Sequence, residues 1–315
     1  MSFIKKFKQL SKKDTSIAGG KGASLGEMTN AKIPVPPGFV ILSRAFDSFI
    51  GDNSLAPEIE AALDSVNHTD IETVERCSET VQELILKSKI KQSIAAEITN
   101  SFKSLKSKYV AVRSSATAED SSTAAWAGQL QSFLFTTEKT LLDNVKSCWA
   151  SLFSPRAIFY RFEKGLHKQK ISVAVVVQKM VNSEVAGVAF SVHPVTKDRN
   201  QLIIEAGFGL GEAVVSGQIT PDSYVVDKED FAIIENNVSE QERQIVAAKS
   251  GGITWNKVPA INTKKPKLND KQIISLSKLV VLIEKHYKFP VDIEWALEKG
   301  KFYITQSRPI TTLGK

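Results

Sequence analysis

The chain has 315 residues, 42% hydrophobic and 24% charged, with a formal charge of +7 from 41 Lys+Arg against 34 Asp+Glu. That size buries a core for one or two domains, and the composition excludes a disordered or fibrous chain. The positive charge fits an anionic ligand such as phosphate, and it is equally the ordinary value of a lysine-rich globular protein. The longest apolar run, VAVVV at 173–177, is too short to span a bilayer, and MSFIKKFKQLSKKD lacks the apolar stretch of a signal peptide. Cys77 and Cys148 show no CxxC or Cys/His spacing and read as buried, reduced thiols, which agrees with a cytoplasmic protein.

In chain order, residues 19–46 read as a glycine turn, a short helix (KGASLGEMTNA) and a Pro-rich approach, PVPPGFVIL, into a strand. Residues 55–106 contain no Gly, and Ile71, Val74, Val81, Leu84 and Ile85 recur at helical spacing. KYVAVRSSA predicts a strand that turns polar, followed by the loop ATAEDSSTAAWAG and the strand QSFLF. One helix is predicted over TLLDNVKSCWASLFSPRAIFYRFEKG, then the buried strand ISVAVVVQKMV. From 184 onward short strands and turns dominate. The Lys-rich NTKKPKLND, 262–270, reads as a polar surface loop before the amphipathic helix KQIISLSKLVVLIEKHYK and a closing hairpin over 292–310. Helices alternating with antiparallel strands predict a mixed α+β or α/β architecture in two lobes.

Several local patterns, taken alone, imitate a site without its spacing. GFGLG at 207–211 imitates a dinucleotide fingerprint, but the EAVVSGQITPD that follows is too short for a crossover helix. GGKGAS at 19–24 lacks the P-loop spacing, and His68, His167, His193 and His286 form no metal spacing. NTKKPK has no interleaved aromatics, which argues against a nucleic-acid surface.

Two clusters do carry chemistry. In DIEWALEKGKFYITQSRPI, Gly300 suits the left-handed position of a three-residue loop with a bulge. An odd loop length pairs residues of equal parity, so Asp292, Glu294, Gln306 and Arg308 are expected on one face. Glu294 and Gln306 then offer hard oxygens of the kind Mg2+ takes, and Arg308 adds a planar donor fork that matches phosphate. The competing reading is a solvated outer face with a surface ion pair. In VAVRSSATAED, Arg113 ends an apolar strand and opens into a hydroxyl-rich loop, where small residues and Gly128 let backbone N–H groups approach an anion. Its competing reading is a strand-end arginine beside a surface loop.

GGKGASLGEM, VPPGF, VAVRSSATAEDSSTAAWAGQLQSFL, CWASLFSPRAIFYR, VVVQKMV, PDSYVV and DIEWAL…ITQSRP together resemble one family. It is the N-terminal nucleotide-binding region of phosphoenolpyruvate synthase and pyruvate phosphate dikinase, shared with rifampicin phosphotransferase. The resemblance implies an ATP-grasp fold, α+β, with lobes over 1–180 and 181–315, the nucleotide cleft between them and the helical segment 55–106 inserted in the first. It implies that Lys21 contacts phosphate and that Arg113 stabilises the transferring phosphoryl group. Gln178 and the backbone around Met180 would receive adenine, and the loop Thr123–Gln129, with Gly128, would cover the triphosphate. Glu294 and Gln306 would ligate Mg2+, with Arg308 on the phosphates of ATP.

Family members pass phosphoryl to a histidine on a swivelling domain. No T-x-H or S-H-A carrier motif and no pyruvate barrel is found in this sequence, so a phosphohistidine domain is expected in trans or further downstream. His193, in FSVHPVTKD, stands where relatives usually have Asp or Asn and is not read as the carrier; Trp126 stands where Phe is usual. Pyruvate and an antibiotic both remain open as final acceptor, as does a non-catalytic ATP-binding module. No nucleic-acid or membrane partner is expected.

Overall fold

The computed structural model of the chain describes residues 2–117, 131–167, 169 and 171–311. Two compact units are present: Met1–Glu27 with Pro37–Met180, and Met28–Pro36 with Val181–Lys315. Helices and strands mix in the chain, as the α+β expectation requires.

The first unit contains β1 (Ile4–Lys6), α1 (Thr15–Asn30, through Glu27), β2 (Gly38–Ile41), α2 (Ser43–Asp52), α3 (Ala56–Asp64), α4 (Ile71–Lys87) and α5 (Gln92–Ser104). It continues with β3 (Val110–Ala116), β4 (Ser132–Thr136), α6 (Leu141–Ala150), α7 (Pro155–Glu163) and β5 (Val173–Lys179). Its strands form one antiparallel sheet in the order β1–β2–β5–β3–β4. Side-chain alternation sorts the two faces. Val110, Val112, Val173, Val175 and Val177 join Phe39, Ile41, Phe49 and Trp149 in the core. Full burial of each such side chain contributes about 1.5–3 kcal/mol. The pairs Ala111↔Gln178, Arg113↔Val176 and Ser115↔Ala174 occupy the opposite face. There Gly22 of α1 packs on Val40, which explains why β5 reads as an unbroken apolar run: both of its faces are covered.

The single helix predicted over 140–165 is broken in two. Ser154 caps α7 by accepting from the Ala157 N–H at 3.2 Å, and Pro155 has no N–H with which to extend α6.

The second unit contains β6 (Val185–Phe190), β7 (Gln201–Phe208), α8 (Glu212–Val215), β8 (Asp222–Asp227), β9 (Ile233–Asn237), β10 (Arg243–Ala247) and β11 (Ile253–Lys257). α9 (Asp270–Tyr287), β12 (Val291–Glu298) and β13 (Lys301–Pro309) complete it. Six antiparallel strands run in the order β13–β12–β6–β7–β8–β9, with β10–β11 as a separate ribbon. Asn269 and Gln272 form a capping box at the start of α9, which buries Ile273, Leu276, Val280 and Ile283 and packs on β12 and β7. Pro34 accepts from the Ile304 N–H at 2.9 Å, which attaches the 28–36 stretch to β13.

The Lys-rich segment is not a solvated loop throughout. Lys267 and Asp222 form an ion pair at 2.7 Å with both side chains fully buried. Asp222 also accepts from the Tyr224 hydroxyl at 2.7 Å, the Lys267 N–H at 2.8 Å and the Ser239 N–H at 2.9 Å. The Lys267 ammonium donates to the Ser239 carbonyl and lies over the Phe208 ring. Every oxygen is satisfied, so the pair is a structural pin. Lys267→Met should therefore lower unfolding free energy by about 3–5 kcal/mol, because it leaves a buried carboxylate uncompensated. Cutting the exposed Lys87–Glu83 pair should change it by less than about 0.5 kcal/mol. Urea melts of both variants give the comparison, and equal losses would contradict the assignment.

Candidate functional site

Helix α1 is interrupted at Gly19, whose φ of 67° and ψ of 170° belong to a region open only to glycine. A Cβ there would lie 2.1 Å from the Ser115 hydroxyl oxygen and 2.4 Å from the Ser115 carbonyl oxygen. The helix restarts at Gly20, so Lys21 falls in a first helical turn packed on the Arg113 face of the sheet. Arg113 on β3 and Gln178 on β5 share that face, at 8% and 2% exposure. Carrying a guanidinium this deep in a sheet is costly without an anionic counterpart or other partners.

Behind the sheet, burial pushes the Cys148 thiol far above its ordinary range, opposed by the nearby Lys21 charge. Burial also raises Cys77, to about 11, so both thiols are held protonated and inert. The Met180 N–H donates to the Tyr109 carbonyl at 3.1 Å and the Lys179 N–H to the Pro37 carbonyl at 2.8 Å, so these two backbone donors are already engaged. Thr123, Trp126, Gly128 and Gln129 lie outside the described residues.

In the second unit the closing hairpin differs from expectation in its turn and agrees with it in its faces. Glu298 pairs with Lys301, so the loop is the two-residue Lys299–Gly300, with φ of 51° and 75°, and not a three-residue loop. A two-residue loop alone would pair residues of opposite parity. The register instead shifts between Glu294 and Trp295: Trp295 pairs with Ile304 but Glu294 with Gln306, and Thr305 is the extra residue. The Thr305 hydroxyl donates to the Glu294 carbonyl at 3.2 Å. This bulge restores equal parity and returns Gln306 and Arg308 to the face of Asp292 and Glu294.

Glu294 thus lies opposite Gln306, and Asp292 opposite Arg308. Arg308 donates from Nε and from one terminal nitrogen to Oδ2 of Asp292, each at 2.7 Å. Gln306 is 6% exposed and the Asp292 side chain 12%, so this is not a solvated outer face. The alternate residues Val291, Ile293 and Trp295 are buried on the other side. Next to Asp292, the Ser191 hydroxyl accepts from the Val291 N–H at 2.9 Å and donates to Glu284 of α9 at 3.0 Å. Glu284 in turn pairs with Lys228 at 2.6 Å, which anchors the start of β12.

The row continues across the sheet through Glu294↔Val188 and Val188↔Glu205, so a third carboxylate shares the face. Nothing local in LIIEAG marks Glu205 as part of the row, because it joins only through the β6–β7 pairing. Burial raises the pKa of Asp292, with Arg308 opposing and Glu294 adding to the shift; burial and then Asp292 raise that of Glu205. Among the described residues no three His, Cys, Asp or Glu side chains form a metal cage. One carboxylate and one amide, with remaining positions for phosphate and water oxygens, is nevertheless a donor set that fits Mg2+.

His193 has a structural part. Its Nδ1 accepts from the Val195 N–H at 3.3 Å and the Thr196 N–H at 3.2 Å, the turn an Asp or Asn side chain makes.

Residues 15–315 match the family described as pyruvate phosphate dikinase, AMP/ATP-binding domain, and the chain belongs to that family. It is an ATP-binding domain of the dikinase type. It is 42% identical to a probable phosphoenolpyruvate synthase of Methanocaldococcus jannaschii, over 100% of this chain and 27% of the relative. With the phosphoenolpyruvate synthase of Pyrococcus furiosus the identity is 40%, over 99% of this chain and 44% of the relative. The rifampicin phosphotransferase of Bacillus cereus is 36% identical, over 99% of this chain and 36% of the relative. The chain therefore spans between 27% and 44% of the length of these curated relatives. Among the described residues no helix is long and apolar enough to cross a membrane.

Gly19→Ala should destabilise the chain by more than about 2 kcal/mol, since strain and a clash with Ser115 combine. Gly300→Ala, with open space around the added methyl, should cost only about 1 kcal/mol. Chemical denaturation of the two variants separates these values, and a tolerated Gly19→Ala would remove the argument for the turn.

Proposed function

We propose that the chain is an ATP-grasp domain that binds Mg-ATP and activates it for phosphoryl transfer to a histidine on another domain or chain. The full reaction would be that of a pyruvate, water dikinase: ATP, pyruvate and water give AMP, phosphoenolpyruvate and phosphate. The observation that carries this reading is the hairpin register, with Glu294 against Gln306 beside the Asp292–Arg308 pair, in a chain of this family.

The roles follow from charge. Phosphoryl transfer spreads negative charge over the phosphoryl oxygens, and fixed cations are the main catalytic device. Lys21 and Arg308 bind phosphate, the latter oriented by Asp292, and Arg113 meets the charge that develops on the transferring group. Glu294 and Gln306 would hold Mg2+, which supplies charge neutralisation at the phosphate oxygens. Gln178 and the chain near Met180 take the adenine, and the loop with Thr123, Gly128 and Gln129 covers the triphosphate. The similarity to the rifampicin phosphotransferase extends over 99% of the chain, which supports the same ATP half with a different final acceptor as a second reading.

Incubation with labelled ATP and a histidine domain taken from one of the longer relatives should yield acid-labile phosphoprotein and AMP. ATP binding without AMP, whatever the partner, would instead make the chain a sensor. Arg113→Ala should lower transfer at least about 100-fold while ATP affinity changes little, since its contact matters most in the transition state. Glu294→Ala should remove the Mg2+ dependence of ATP affinity in calorimetric titrations; an undiminished dependence would refute the metal role.

A further inference from the structure

The restarted segment of α1 has a glycine where a helix normally places its capping oxygen. Gly19 occupies the position before the first helical residue, Gly20, and has no side chain to satisfy the orphan N–H groups of the turn. The Gly22 N–H, third in that turn, donates instead to the Ser115 hydroxyl at 3.4 Å, a long bond in a buried setting. Ser115 is 0% exposed, and a Cβ at Gly19 would clash with both its hydroxyl and its carbonyl oxygen.

Alternation along β3 gives its two adjacent serines separate tasks. Ser114 faces away and donates to the Gln131 carbonyl at 2.8 Å. Ser115 shares the face of Arg113, two residues before it on the same strand.

We infer that Ser115 is a positioning residue: it caps the Lys21-bearing turn from the neighbouring strand and thereby sets Lys21 against Arg113. A helix that carried its own cap could settle in several orientations. One capped by the arginine strand cannot shift without breaking that bond. The role rests on the phosphate contact proposed for Lys21, and it acts through that lysine only.

The test is a double-mutant cycle on the full chain, with calorimetric affinities for Mg-ATP and for adenosine. Ser115→Ala should weaken ATP about fivefold, the effect of losing one cap, and leave adenosine binding unchanged. In a Lys21→Gln background the same change should add nothing. Equal losses for ATP and adenosine, or additive losses with Lys21→Gln, would overturn the positioning role while leaving the ATP-binding reading intact. Failure of the unaltered chain to bind ATP would overturn both. Hydrogen exchange at the Gly22 amide of the unaltered protein gives a check that needs no variant: slow exchange is expected, and exchange at the rate of a frayed helix end would refute the cap.

Discussion

One surplus residue in a strand decides which side chains can act together. Lys299–Gly300 is the shortest hairpin turn, and on its own it would aim Gln306 and Arg308 at the side where Val291, Ile293 and Trp295 are buried. A guanidinium and an amide would then enter an apolar layer without partners, which costs several kcal/mol. The bulge at Thr305 removes that conflict by letting β13 slip one residue against β12. The Glu294–Gln306 pair, the Asp292–Arg308 pair and the row extending to Glu205 all depend on that slip.

Buried charge is handled in two ways within the second unit. Lys267 and Asp222 are sealed from water and fully hydrogen-bonded, so neither has capacity for a ligand. Asp292 and Arg308 form the other kind of pair, with the carboxylate largely covered and the guanidinium side chain 47% exposed. Asp292 thus holds the Arg308 guanidinium through two bonds to one oxygen while about half of that side chain stays exposed. Asp292, Glu294 and Glu205 share one row on that face of the sheet, where burial raises the Asp292 and Glu205 carboxyls above their ordinary range.

The first unit solves a related problem with glycine. Small residues on α1 let the helix approach β2 and β3 closely enough for a serine hydroxyl to reach its backbone. Close approach brings the Lys21 turn to the strand of Arg113, and the strain at Gly19 is accepted in return.

Local patterns were legible because short-range physics sets them. The apolar spacing of 71–85 makes α4, the valine run makes β5, and equal parity in the closing hairpin put Asp292, Glu294, Gln306 and Arg308 on one face. Family resemblance in the motifs was legible for the same reason, since motifs are contiguous. Contacts between distant segments were not. Nothing in NTKKPKLND marks Lys267 as the lysine with a carboxylate waiting in β8, and nothing in RSSA says that the second serine will cap a glycine turn far upstream. Even the hairpin parity came about through a shorter loop and a bulge, because turn and register are settled by what each face must bury. The sequence alone determined the element types, the family and the candidate polar residues. Only the folded chain decided which of those residues became partners, because burial and hydrogen bonding select among pairings that sequence distance leaves equally open.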